Sequence, residues 1–181
     1  MKISVVDIET TGLNVDIDYI VEIGIVDLDL DTGKIKVIYD KIVRELGFGE
    51  HNRNDWIFLN SDLNYKLVEK APLLNELRED IQDILIKRQI TAFNKSFDLG
   101  FLKDRGFIIP NELPCIMKSA TNICKIPFPR NPYKYKWPKV EEAWNYFFPE
   151  EFYIEKHRAA DDAKHEARIL YEMYRLGYYN I

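Results

Sequence analysis

Apolar and polar positions along the chain change rhythm part-way. Positions 3–9 (ISVVDIE) form a short β-branched run, and 20–30 (IVEIGIVDLDL) is apolar on both parities before alternating through Asp27 and Asp29. A DTG turn at 31–33 separates it from 34–44 (KIKVIYDKIVR), which alternates again. Period-two patterning lays apolar side chains on one face of a pleated strand, so three strands are predicted, the second and third joined as a hairpin. Positions 45–60 carry glycines and a polar HNRND run and read as a loop. Ser61 or Asp62 can cap a short helix reaching about Lys70, and Pro72 suits the first turn of a longer one. In that second helix Leu73, Leu74, Leu77, Ile81, Ile84 and Leu85 recur at helical spacing as far as Lys87.

Strand and helix then alternate. Positions 89–94 read as a strand, and 96–105 as a helix capped by Ser96 and stopped by Gly106. Positions 113–117 read as a weak fifth strand, followed by a short helical segment at 119–125. The Pro-rich stretch 126–138 cannot be regular helix. Helices are expected at 139–148 and, most strongly patterned, at 158–176 before Gly177. Three strands followed by alternating α and β predict an α/β fold: a mixed sheet covered by helices, as one domain over 1–181.

Composition narrows the class. A chain of 181 residues, 46% hydrophobic and 13% aromatic, has enough apolar surface for a substantial core. No targeting segment is visible, since the apolar run at 3–6 stops at Asp7, and no stretch approaches the ~18 apolar residues of a membrane span. A cytoplasmic protein with no membrane association is therefore expected. Cys115 and Cys124 lie in no CxxC or Cys/His cluster and read as reduced, structural thiols. A net charge of −5 argues against passive binding of nucleic acid, unless several acids are metal ligands whose cations reverse the local field.

The acids themselves raise that possibility. Asp7 and Glu9 are i and i+2 on a strand, so they share a face. Two acids aimed together at the end of an apolar strand are costly unless a cation sits between them, or unless the strand end is in solvent. A Thr10-Thr11-Gly12 turn follows directly. Asp98 falls in the first turn of the helix after FNKS, and Asp161 and Asp162 in the first turn of the last helix, where each would also compensate the helix dipole. His157 precedes them in a loop. Each feature has an ordinary structural explanation singly; their joint occurrence in this order does not.

DIETTGL at 7–13, AFNKSFD at 92–98 and HRAADDA at 157–163 resemble the three motifs of the DEDDh exonuclease superfamily, across nearly the whole chain. That group has His five residues before its last Asp, whereas the sister group has Tyr four before it. His157 is five before Asp162 and Arg158 is four before it, which points to the DEDDh type and to Asp162 rather than Asp161. The resemblance implies a ribonuclease H-like fold with a mixed five-stranded sheet flanked by helices. It implies Asp7, Glu9, Asp98 and Asp162 as ligands of two divalent ions, Mg2+ by default with Mn2+ also suited, spaced about 3.5–4 Å apart. It implies His157 as general base, a role that suits an ordinary histidine pKa near ~6.5. The expected activity is hydrolysis from the 3′ end of single-stranded DNA or RNA, releasing 5′-mononucleotides.

Substrate-side candidates follow. By resemblance the turn 10–13 meets the terminal nucleotide: backbone groups of Thr10, Thr11 and Gly12 at the 3′-OH, Leu13 against the last base. Asn94 and Phe97 belong to the middle motif. The stretch 113–140 holds six basic residues and no acid, with Phe128, Tyr133, Tyr135 and Trp137 interleaved. Such a stretch either tracks phosphate and stacks bases, with Lys134, Lys136 and Trp137 as contacts, or is a solvated loop with aromatics pinned to the core. The chain departs from many relatives at Ser61-Asp62-Leu63-Asn64 and at Ile116-Met117-Lys118-Ser119, where they carry 3′-end and ribose contacts. Trp56 and Phe58 would be substitute stacking residues or packing. A non-catalytic binding module is the competing class, and the presence of all five catalytic positions argues against it. The chain stops soon after its last helix, as expected of a stand-alone enzyme rather than one tethered to a polymerase.

Overall fold

The computed structural model describes residues 1–181, residue 132 by its backbone alone. Three long antiparallel strands, β1 (Lys2–Thr10), β2 (Ile20–Asp29) and β3 (Ile35–Ile42), and a short β4 (Ile90–Thr91) form a sheet in the order β3-β2-β1-β4. β4 runs parallel to β1, pairing Ser4 with Ile90 and Val5 with Thr91. The mixed sheet agrees with the sequence reading, but it has four strands rather than five. At 113–117 there is no strand: an isolated bridge, Ile90 to Glu112, precedes it, and the chain then turns into α5 (Ile116–Cys124). Pro114 has no N–H to continue a ladder.

Alternation along β1 divides the core. Ile3 and Val5 face a cluster built with α5, α6 (Val140–Phe147) and α7 (Ala159–Arg175). Val6 and Ile8 face the opposite cluster, built with α3 (Arg78–Lys87) and α4 (Lys95–Asp104). Asp7 and Glu9 have the parity of Ile3 and Val5, so they point to the side that α7 covers. A third, smaller cluster joins Val21 and Phe48 to α1 (Trp56–Asn60), in the region read as loop, and α2 (Tyr65–Glu69), which falls within the expected short helix but is capped by Asn64 rather than Ser61 or Asp62. Ile57 is buried there, and its burial supports a helix that local pattern did not announce. The Pro-rich stretch is a small hairpin of β5 (Pro127–Phe128) and β6 (Asn131–Tyr135), separate from the main sheet.

Helix α7 approaches the sheet unusually closely. A Cβ at Gly24 would lie 2.3 Å from the Ala159 carbonyl carbon and from the Ala160 nitrogen. Gly24 is the cross-strand partner of Asp7. The absence of a side chain at this one position lets the start of α7 settle beside the acids of β1. Glu22, 1% exposed on the same face, fixes the approach. It accepts three bonds from the Arg158 guanidinium, the shortest 2.7 Å, and one from the Ala159 N–H at 3.0 Å. Both cysteines are unpaired, and no helix among the described residues is long and apolar enough to cross a membrane.

Candidate active site

The end of β1, the start of α4 and the start of α7 meet in a cleft of about 570 Å³. Asp7, Glu9, Asp98, His157 and Asp162 all line it, as do Thr10, Thr11, Gly12, Leu13, Asn94 and Phe97. Three motifs separated by some 150 residues in sequence thus contribute to one wall. Lys134, Lys136 and Trp137 are not among the lining residues. Lys136 Nζ is bonded to Glu142 Oε1 at 2.6 Å, and Trp137 lies under the Lys118 ammonium 5.4 Å from its ring centre. Asp161 turns away from the cleft toward Lys156 and Lys164.

Each side chain is held by local structure. Asp98 sits in the first turn of α4, 3% exposed, and accepts backbone N–H bonds from Ile8 and from its own residue. Asp162, in the first turn of α7, accepts from the Arg158 N–H and from the Tyr153 hydroxyl, each at 3.0 Å. His157 has φ of +53°, a left-handed backbone that costs a non-glycine residue energy and recurs at functional sites. Its ring packs edge-on against Trp56, 4.8 Å between centres. Donor atoms of Glu9, His157 and Asp162 lie within 4.8 Å of one another.

The turn after β1 is organised around Asp18. The Thr11 hydroxyl donates to Asp18 Oδ1 at 3.2 Å, and the Asn14 N–H donates to Oδ2 at 2.8 Å. A Cβ at Gly12 would fall 2.5 Å from that carboxylate, so a side chain there would push Asp18 out of its bonds to the turn. Arg105 pins the turn from behind, donating to the carbonyls of Val15 and Asp18 at 2.6 Å each. Leu13 is left 87% exposed at the cleft edge. Trp56, 57% exposed, lines the cleft beside His157, whereas Phe58 packs against Phe48 and Tyr65 in the third core cluster.

The electrostatics are one-sided. Among the described residues six carboxylates, from Asp7, Glu9, Asp98, Glu155, Asp162 and Glu166, line the cleft, and no Lys or Arg does. Burial, then the charge of Glu166, then those of Asp98, Glu9 and Asp162, hold the Asp7 carboxyl well above the ordinary range. Burial and the neighbouring Asp162 do the same to Glu9. Burial pushes Asp98 up to about 8, against its backbone bonds, and pushes Glu155 to about 7 with help from Asp162. Oxygen donors converging without a basic side chain are what a hard divalent cation stabilises, so the donor set fits metal ions.

Sequence reasoning missed several contributors. Glu22 was visible as a lone acid in an apolar strand, and Gly24 as a glycine in a strand interior. Tyr153, Glu155, Glu166 and Arg105 carried no local signal.

The RNase_T exonuclease family model matches residues 4–170. A protein of Staphylococcus haemolyticus named 3′-5′ exonuclease DinG is 32% identical over 100 residues, covering 55% of this chain and 10% of that protein. Its namesake in Staphylococcus aureus strain MRSA252 is 28% identical over 169 residues, covering 92% of this chain and 17% of that protein. The chain therefore spans less than a fifth of the length of these relatives. The nuclease domain of 3′hExo, a DEDDh family member solved bound to rAMP, superposes with a TM-score of 0.72 at 18% identity, covering 97% of this chain and 92% of that one. S. pombe Pop2p in its Mg2+ and Mn2+ bound form gives 0.60 at 18% identity, covering 94% of this chain and 82% of that one. The matched family model spans all three motifs, whose five-residue His-to-Asp step is the one on which the DEDDh resemblance rests: the chain belongs to the RNase_T exonuclease family.

Proposed function

We propose that this domain hydrolyses single-stranded nucleic acid from its 3′ end, releasing 5′-mononucleotides, with a pair of divalent ions held by Asp7, Glu9, Asp98 and Asp162. The observation that carries this reading is the cleft itself, in which these four carboxylates and His157 converge with no Lys or Arg beside them among the described residues. Members of the family use divalent metal ions, and hard oxygen donors suit magnesium, with manganese able to serve. When bound there, the ions supply Lewis-acid stabilisation of the charge that builds on the scissile phosphate.

The chain's own residues supply the rest. His157 takes the proton of the attacking water on a ring nitrogen, and the edge of Trp56 limits the ring's orientations. Tyr153 and the Arg158 N–H hold Asp162 by both oxygens, which fixes its carboxylate plane. The closed turn at 10–13 sits at the cleft end of β1, so it meets a chain terminus and enforces exonucleolytic cleavage. Exposed Leu13 and Trp56, both at the cleft, provide apolar surface for the terminal base. The rAMP seen with the 3′hExo domain supports a ribonucleotide fitting a cleft of this fold.

Digestion of matched 5′-labelled DNA and RNA, single- and double-stranded, with magnesium tests the proposal. A ladder shortening from the 3′ end, blocked by chelator and by a 3′-phosphate, is expected. Internal fragments appearing first, cutting of a circular single strand, or full activity in excess chelator would overturn it.

A further inference from the structure

Glu166 lies one helical turn after Asp162 on α7 and shares its face. It is 3% exposed, and it lines the cleft with Asp7, Asp98 and Asp162. It receives the Phe93 backbone N–H, but its Oε2 has no hydrogen-bond partner. A buried carboxylate oxygen without a donor is rare, and one surrounded by other carboxylates is rarer. Packing does not explain it. Ala163, Ala167 and Leu170 of the same helix fill the core on that side, so an apolar residue at 166 would have satisfied the helix. The arrangement is unfavourable as an isolated protein and becomes favourable around a cation.

We infer that Glu166 is a fifth carboxylate of the metal centre, giving Oε2 to a divalent ion that Asp7 and Asp98 also hold, directly or through one water. This rests on the metal-dependent reading above and extends it to a residue outside the three motifs. A carboxylate beyond the four of the motifs tightens the hold on the ion and offsets more of its charge before substrate arrives. Metal should therefore bind well to the enzyme alone.

The test is manganese binding to substrate-free protein by calorimetry, alongside metal-free thermal melts. Wild type is compared with Glu166→Gln, which keeps shape but not charge, and with Glu166→Met, which is apolar and of similar length. Both variants should bind Mn2+ weaker by about tenfold or more. Set against those metal-free melts, both should gain less thermal stability than wild type on adding Mn2+. Unchanged Mn2+ affinity in either folded variant overturns the inference and leaves the proposed activity standing. Loss of the fold in both also overturns it, by making Glu166 a structural acid. A wild-type protein that binds no Mn2+ overturns the metal-dependent reading itself, and Glu166's role with it.

Discussion

The acidic cleft and the basic hairpin at 126–139 are both dense in charge, but they hold it differently. In the cleft, Asp98, Asp162 and Glu166 are buried, their positions are set by strand parity and helix turns, and no side-chain cation neutralises them. In the hairpin, Tyr133, Lys134 and Tyr135 are exposed, and Lys136 is already paired with Glu142. Buried like charges cost so much that they either take up protons or require a bound cation to relieve them. Exposed charges cost little and carry correspondingly little information. The contrast predicts that substitutions in the cleft are severe and those in the hairpin mild.

The largest effect should come from Asp162→Ala or Asp7→Ala. Losing a metal ligand removes several kcal/mol of transition-state stabilisation, a drop of about 10³-fold or more in kcat, with the fold retained on circular dichroism. Retention of more than a tenth of wild-type rate would mean the cleft is not the catalytic centre. His157→Ala should lower kcat by roughly 10²–10⁴ while leaving metal affinity intact. His165 is the control. Its Nδ1 lies 2.8 Å from the Asp161 carbonyl and its ring is packed between Trp144 and Tyr153, so its replacement should affect stability more than chemistry. Equal rate losses at the two histidines would break the assignment.

Two ion pairs sharpen the comparison in stability. Arg158→Ala leaves Glu22 buried and without its charge partner, at a cost below the about 3–5 kcal/mol of a fully buried pair because Arg158 itself is about a third exposed, while Lys136→Ala breaks a pair partly exposed on both sides and worth about 1 kcal/mol or less. Urea denaturation of the two variants should separate them clearly, and similar midpoints would show that burial does not govern these pairs.

The pH dependence of stability should also distinguish the regions. Asp98 is raised to about 8 and Glu155 to about 7, whereas unfolded carboxylates titrate near ~4. Between these limits the folded, metal-free protein binds more protons than the unfolded chain, so its stability must fall as pH rises from about 4 to about 8. Saturating magnesium should flatten that slope. A metal-free melting temperature that rises across this range would contradict the burial of these acids. The smallest effect is expected from joint Ala replacement of Lys134, Lys136 and Lys139. It should raise KM on a long single strand, with a smaller change in kcat and a flatter salt dependence. An unchanged KM would make the hairpin a solvated loop.

What was legible in the sequence follows the same division. The five-residue step from His157 chose Asp162 over Asp161 through the motif spacing that the resemblance implies, and strand parity put Asp7 and Glu9 on one face because it depends only on local periodicity. The alternating strands predicted the mixed sheet for the same reason. The fifth strand failed because Pro114 and the turn into α5 overrode a short apolar run, and α1 escaped notice because its helix depends on Ile57 packing into a distant cluster.

The sequence by itself therefore determined the strand order of acids, the histidine spacing and the family, all of which are written in neighbouring residues. Only the tertiary structure decided that Gly24 lets α7 press against β2, that Glu22 locks Arg158, that Trp56 braces His157, and that Glu166 and Glu155 join the cleft. These are contacts between segments far apart in the chain. Their energies arise from burial and close approach, which no local pattern of residues encodes.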